Sequence, residues 1–219
     1  MKPDYETAAL RAAETLVTYS ISAAPVSPLP ILKKLPNVLV VSFETMSHDV
    51  SMSRHCVLNQ FGDYSKDAFT SVNIMDGKRF YIVAYNQMLP SFIAHRALAR
   101  ELGHILLGHD GSRPEDFRQE EARCFANHLL VPRALIHSIQ ASGFRLTVEV
   151  LGNLTGCYDH CLSCMRRLPA THVPADLNRK IRDNFMLYMV SFFEYQRVAT
   201  RHDGSALADF GSYMEGYEE

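Results

Sequence analysis

The sequence lacks any apolar run of the roughly 18 residues that a membrane span requires, so no transmembrane helix is expected. It also lacks a charge excess of either sign. Its 22 Lys and Arg against 24 Asp and Glu leave a formal net charge of −2, which gives no global basic field to hold nucleic acid and leaves room for a local patch at most. Cysteine is scarce and odd in number, five in all with three clustered. That pattern suits a reducing cytosol better than a disulfide framework, so a cytoplasmic protein is expected. Met1-Lys2-Pro3-Asp4-Tyr5-Glu6 has no basic segment leading into an apolar one, so no signal peptide is expected. No segment repeats at solenoid spacing. What is there is ordinary globular composition: 219 residues, 47% hydrophobic and 21% charged, enough to bury a core without disulfide staples.

Ala9, Ala12, Ala13 and Leu16 recur at helical spacing and predict a first helix over 4–19. Pro25, Pro28, Pro30 and Pro36 punctuate the next stretch, with room for a short helix over 31–35. The β-branched, apolar run 38–43 predicts a buried strand. Segments 68–74 and 79–85 flank Asp76-Gly77, a strong hairpin signal. A helix is expected over 91–107, stopped by Gly108 and Gly111. Ser112 and Glu115 have capping-box spacing for a helix that ends near Leu130, before Pro132. Further helices are expected over 132–141, 147–154, 158–168 and 176–198, and the tail 214–219 is acidic. The class is α+β: a small sheet containing an antiparallel pair, then helices. The expected domains are 1–135 and a helical region 136–219.

The helix over 91–107 has two distinct faces. Ala94, Leu98, Leu102 and Ile105 share a core face, while Ile93, Ala97, Arg100, Glu101, His104 and Gly108 lie about a quarter turn away. A face that mixes small residues with a histidine and two charges borders a cleft; the bland reading is a solvated charged face.

The segment His95-Arg96-Ala97-Leu98-Ala99-Arg100-Glu101-Leu102-Gly103-His104-Ile105-Leu106-Leu107-Gly108-His109 resembles the zinc helix of the ImmA/IrrE metallopeptidase family, A-H-E-L-G-H-x-L-L-x-H. Ala122-Arg123-Cys124-Phe125-Ala126-Asn127-His128-Leu129-Leu130-Val131-Pro132 is similar to that family's E-x-x-A-N-x-F-A-x-x-L-L-M-P block. The resemblance spans residues 5–170. It implies a small sheet packed against a zincin-like helix pair, followed by a helix-turn-helix-like part. It also implies a zinc endopeptidase that cleaves a helix-turn-helix transcriptional repressor.

The residues that would do that chemistry are partly replaced. In H-E-x-x-H, histidines at i and i+4 hold one Zn²⁺ and the glutamate takes a proton from the metal-bound water. Here Arg100 stands at the first histidine position, and a guanidinium has no lone pair to give. The resemblance aligns the third ligand with Gln119. Helical geometry agrees, since Gln119 lies about 60° from the centre of the stripe Ala122, Phe125, Ala126 and Leu129, with Glu120 nearly opposite. Glu121, about 100° away on the other side, serves as a ligand only if the helix is rotated or shifted. Of the implied set, His104 remains as a metal ligand and Glu101 as a general base should the centre be active. Arg100 is expected to replace the metal by pairing with Glu101 or Glu121. A rearranged site would recruit His95, His109, Glu120 or Glu121, although His95 and His109 read as surface or supporting residues. The expected role is a regulatory, protein-binding pseudo-peptidase with no cofactor and with a helix-turn-helix regulator as partner. The alternative is an active zinc endopeptidase.

Cys157, Cys161 and Cys164 form C-x₃-C-x₂-C, a spacing like the cluster loop of radical SAM enzymes. With His160 they could also form a zinc knob. The same residues are i, i+4 and i+7 on a helix, where cysteine packs as a small hydrophobe, and core packing is the expected role. Arg166 and Arg167 could touch a phosphate backbone but read as a solvated face. Phe185, Met186, Leu187, Met189, Val190, Phe192 and Phe193 give the last helix more apolar surface than one buried stripe needs.

Overall fold

A computed structural model of the chain describes residues 2–49, 67–156 and 171–199. It is mixed α and β: a three-stranded sheet and a larger complement of helices. The strands are β1 (Val38–Ser42), β2 (Ala68–Met75) and β3 (Lys78–Tyr85). The helices are α1 (Tyr5–Thr18), α2 (Pro28–Lys34), α3 (Phe43–Asp49), α4 (Ser91–Leu106), α5 (Glu115–Leu130), α6 (Arg133–Ala141), α7 (Val148–Thr155), α8 (Ala175–Asn184) and α9 (Met186–Ala199). None of these helices is long and apolar enough to cross a membrane. The segment expected as a helix over 158–168, with Cys157, His160, Cys161, Cys164, Arg166 and Arg167, lies outside the described residues, as does the acidic tail.

Two compact units partition the chain: residues 1–4 with 27–126, and residues 5–26 with 127–219. This replaces the single cut expected at 135. The physical reason is the Ala-rich face of α1. Ala8, Ala9, Ala12, Ala13 and Leu16 are buried, and α1 packs against α8, which in turn packs against α6. Small side chains let helices approach closely, so α1 joins the helical unit and not the sheet that follows it in sequence.

In the first unit, Asp76 and Gly77 both take positive φ, 52° and 72°, as a two-residue hairpin turn requires. They close the antiparallel pair β2–β3, which ends in the match Met75 to Lys78. β1 adds in parallel on the far side of β3, giving the order β1-β3-β2, so among the described residues β2 is an edge strand. Val40, Val83 and Thr70 stand side by side in register and therefore share one face; α4 packs on β2 and β3. Val41, Ala84 and Phe69 share the other face and pack with Phe43 and Met46 of α3.

Three local expectations are corrected. Phe43 opens α3 instead of ending β1, because the Ser42 hydroxyl accepts the Thr45 N–H at 3.0 Å, an N-cap bond that turns the chain into helix, and the Phe43 ring stacks on Phe69 at 5.8 Å. The capping box on Ser112 does not form. Its hydroxyl bonds Asp110, and the first helical bonds of α5 run from Phe117 and Arg118 to the Pro114 carbonyl. The last helix is broken between Asn184 and Met186, with Phe185 wholly buried at the break. The start of α7 follows its sequence signal: Thr147 caps it, accepting from Val150 N–H at 3.1 Å, and Gly156 at φ 67° ends it.

Candidate functional site

Residues 97–99 and 101–103 of α4 are buried nearly all the way round. Ala94 and Ile105, expected in the core, are half-buried, and Ile105 lines a cleft. Gly103 sets the approach of α5: a β-carbon there would lie 3.0 Å from the Phe125 ring and 3.3 Å from the Ala122 backbone. The absent side chain lets the two helices close up and brings Arg100 and His104 of α4 opposite the first turns of α5.

The cleft so formed has a volume of about 640 Å³. Phe69, Thr70 and Val72 of β2 form one wall with Tyr81, and Arg100, Glu101, His104, His109, Arg118 and Gln119 supply the polar lining. All of it belongs to the first unit.

Arg100 Nη2 donates to Gln119 Oε1 at 2.7 Å, and Gln119 Nε2 donates to Glu115 Oε1 at 2.6 Å. Gln119 therefore faces Arg100, as the helical wheel predicts, while Glu120 is paired with Arg123 on the outside. The expected pairing of Arg100 with Glu101 or Glu121 is corrected. Glu101 is buried and accepts the Thr70 hydroxyl at 2.7 Å. Burial pushes its carboxyl pKa up, against the opposing effects of the Thr70 bond and the Arg100 charge.

Glu121 is engaged at both oxygens. Oε1 accepts the backbone N–H of Asp4 at 2.7 Å and Arg113 Nη2 at 2.6 Å, and Oε2 pairs with His109 Nε2 at 3.0 Å. His109 Nδ1 in turn meets His104 Nδ1 at 2.8 Å. His109, expected at the surface or in a supporting role, is buried and links His104 to Glu121. Burial lowers its pKa, partly countered by Glu121. The pKa of His104 is held down to about 4, first by burial and then by its neighbours His109 and Arg100, which oppose a second positive charge beside them.

This chain of bonds assigns the tautomers. Beside Arg113, the Glu121 carboxylate is an acceptor, so neutral His109 carries its proton on Nε2 and accepts at Nδ1. His104 then donates from Nδ1, which leaves its Nε2 as the unprotonated nitrogen. His95 is half-buried, lowered by burial, and is not among the cleft-lining residues.

These donors do not suit a zinc ion. Of the three positions that the family resemblance assigns to ligands, two are a guanidinium and an amide whose oxygen accepts from that guanidinium. The remaining candidates, His104 and Glu121, are joined through His109 instead of converging on one point. Among the described residues, no group of three or more His, Cys, Asp and Glu is placed to hold a metal.

Sequence reasoning missed Thr70, Arg113 and Arg118. Thr70 was legible as a position: the alternation of β2 puts it on the face of Val83, toward α4. Arg113 precedes α5 in a connection whose path no periodicity describes, and Arg118 was overlooked beside Gln119. Compared with protein-family models, curated proteins and solved structures, the chain finds no match.

Proposed function

We propose that the chain is a cytoplasmic ImmA/IrrE-like protein whose zincin-like centre has become a metal-free binding cleft, and that it acts as a regulatory pseudo-peptidase that binds a protein partner without cutting it. The observation that supports this most directly is the 2.7 Å bond from Arg100 to Gln119. Two of the three positions at which the resemblance implies ligands are bonded to each other, and neither the guanidinium nor the amide engaged with it is suited to zinc. A support that orients His104 is nevertheless present: His104 is held through His109 by the buried Glu121 carboxylate, one hydrogen bond longer than the direct carboxylate–histidine contact that supports a metal ligand.

Peptide capture needs a groove and an unpaired strand edge. Among the described residues β2 is an edge strand, and its residues line the cleft; an extended segment can add to such an edge by main-chain hydrogen bonds. A helix-turn-helix regulator is the partner to test first. The full chain is mixed with such a regulator, with added zinc in one arm and chelator in the other. The expected result is a complex without fragments in both arms. Fragments that disappear in Glu101→Gln would overturn the reading in favour of an active endopeptidase.

A further inference from the structure

We propose that Arg100 anchors a carboxylate carried by whatever enters the cleft, so that the ligand segment presents an acidic side chain or a free C-terminus at this point; the inference rests on the binding-cleft reading above.

The argument begins with the arginines of the first unit. Six are described. Arg79 is paired with Asp110, Arg96 with Asp67, Arg113 with Glu121, Arg118 with Glu115 and Arg123 with Glu120. Arg100 alone has no carboxylate partner among the described residues; it donates to the neutral amide of Gln119. It is also half-buried and lines the cleft. A cation withdrawn from water without a counter-charge is unfavourable, and elsewhere in this unit the fold supplies that counter-charge. Here it does not.

The nearest candidate is the adjacent Glu101, which turns away to Thr70. Burial of Glu101 favours its uncharged form, which further reduces its value as a counter-ion. Glu115 is committed to Arg118 and Gln119. Asp116 also lines the cleft but is exposed to solvent.

The guanidinium is preorganised for a ligand. One Nη2 bond to Gln119 fixes its plane, and Gln119 is itself held by Glu115. Arg100 Nε is buried without a hydrogen-bond partner. The Nε atoms of Arg113 and Arg118 share that condition, but their charges are already matched. Among the described arginines of this unit, only Arg100 lines the cleft without a carboxylate partner. One unmatched positive charge in a planar fork calls for one planar anion. That is a carboxylate rather than a phosphate: the second cleft arginine, Arg118, is already paired with Glu115, and the first turn of α5 carries Glu115 and Asp116, which oppose a more highly charged anion.

The test uses small probes on the full-length protein with isotope-labelled histidine, reading the ring signals of His104 by NMR. The probes are N-acetyl-glutamate amide, its neutral isostere N-acetyl-glutamine amide, N-acetyl-alanine with its free C-terminal carboxylate, and inorganic phosphate. At least one carboxylate probe should shift the His104 signals with an affinity roughly tenfold above the neutral isostere, the value of one charge-assisted contact. The tighter of the two carboxylates identifies a side chain or a chain terminus as the source. Arg100→Gln should abolish the preference, and Arg100→Lys should retain part of it. Equal response to the glutamine isostere, a preference that survives Arg100→Gln, tighter binding of phosphate, or no response to any probe would each overturn the proposal. Because the probes are not peptides, failure here leaves regulator binding standing, and failure of regulator binding leaves a positive result here intact.

Discussion

Arg113, just before α5, and Arg100 of α4 belong to the same unit and face opposite electrostatic situations. Arg113 meets Glu121, a carboxylate only 2% exposed that also takes His109 and the Asp4 amide. Every oxygen has a donor, and the group reads as interior structure. Arg100 meets an amide, has no carboxylate bonded to it among the described residues, and opens on a cleft. The difference separates two uses of arginine. One closes a network and holds the fold. The other leaves the network open on the side where something can enter.

The largest test of the contrast is to break the closed network. Glu121→Gln leaves Arg113 without its counter-charge and removes the acceptor that fixes His109. The Arg113 side chain is 36% exposed and can turn to water, so the expected loss is about 1–3 kcal/mol of unfolding free energy, the cost of leaving buried polar groups unsatisfied, read by urea denaturation.

The second test restores a metal to the open side. Arg100→His alone should not create a tight zinc site, since Gln119 supplies no anionic ligand. Arg100→His with Gln119→Glu replaces both bonded partners and should bind zinc at least about tenfold better than either single change. A competition titration decides this. A double variant no better than the unaltered protein would mean that Gln119 is not the third-ligand position.

The third test uses pH. The folded His104 has its pKa lowered from 6.5 to about 4. Between those values the unfolded chain takes the proton and the folded chain does not, so stability falls as pH is lowered through this window. Glu101 acts with the opposite sign. Its folded pKa is raised, so its contribution is present at low pH and is lost as pH rises through the folded value. Urea denaturation of the unaltered protein and of His104→Gln between pH 7 and pH 4 separates the two. The variant should show a slope shallower by up to about 1 kcal/mol per pH unit. Parallel profiles would show that His104 titrates normally.

The smallest effect is expected at Arg100 itself. Arg100→Gln removes a half-buried charge with no carboxylate partner, so unfolding free energy should change by less than about 1 kcal/mol in either direction. A loss as large as that of Glu121→Gln would make Arg100 a structural residue and erase the contrast with Arg113.

Much of this was legible because it is local. The Asp76-Gly77 turn follows from which residues tolerate positive φ. The Thr147 cap and the Gly156 stop are equally local. Where local signals compete, the sequence misled: Ser112 lay at capping-box spacing, yet its hydroxyl serves Asp110. No glycine or proline marks the break at Phe185; what coincides with it is a wholly buried ring.

The sequence by itself determined that Arg100, Glu101 and His104 share a helix face and that Gln119 turns inward, because a 3.6-residue period fixes angular positions within one helix. Those angles carry no information on how far one helix stands from another or how it is rotated about its own axis. That was decided in three dimensions, through the close approach at Gly103 and the bonds from Glu121 to Asp4, His109 and Arg113. Only the tertiary structure could therefore choose between Glu101, Gln119 and Glu121 as the partner of Arg100. Hydrogen bonds are decided over tenths of an ångström, a scale at which helical periodicity makes no prediction.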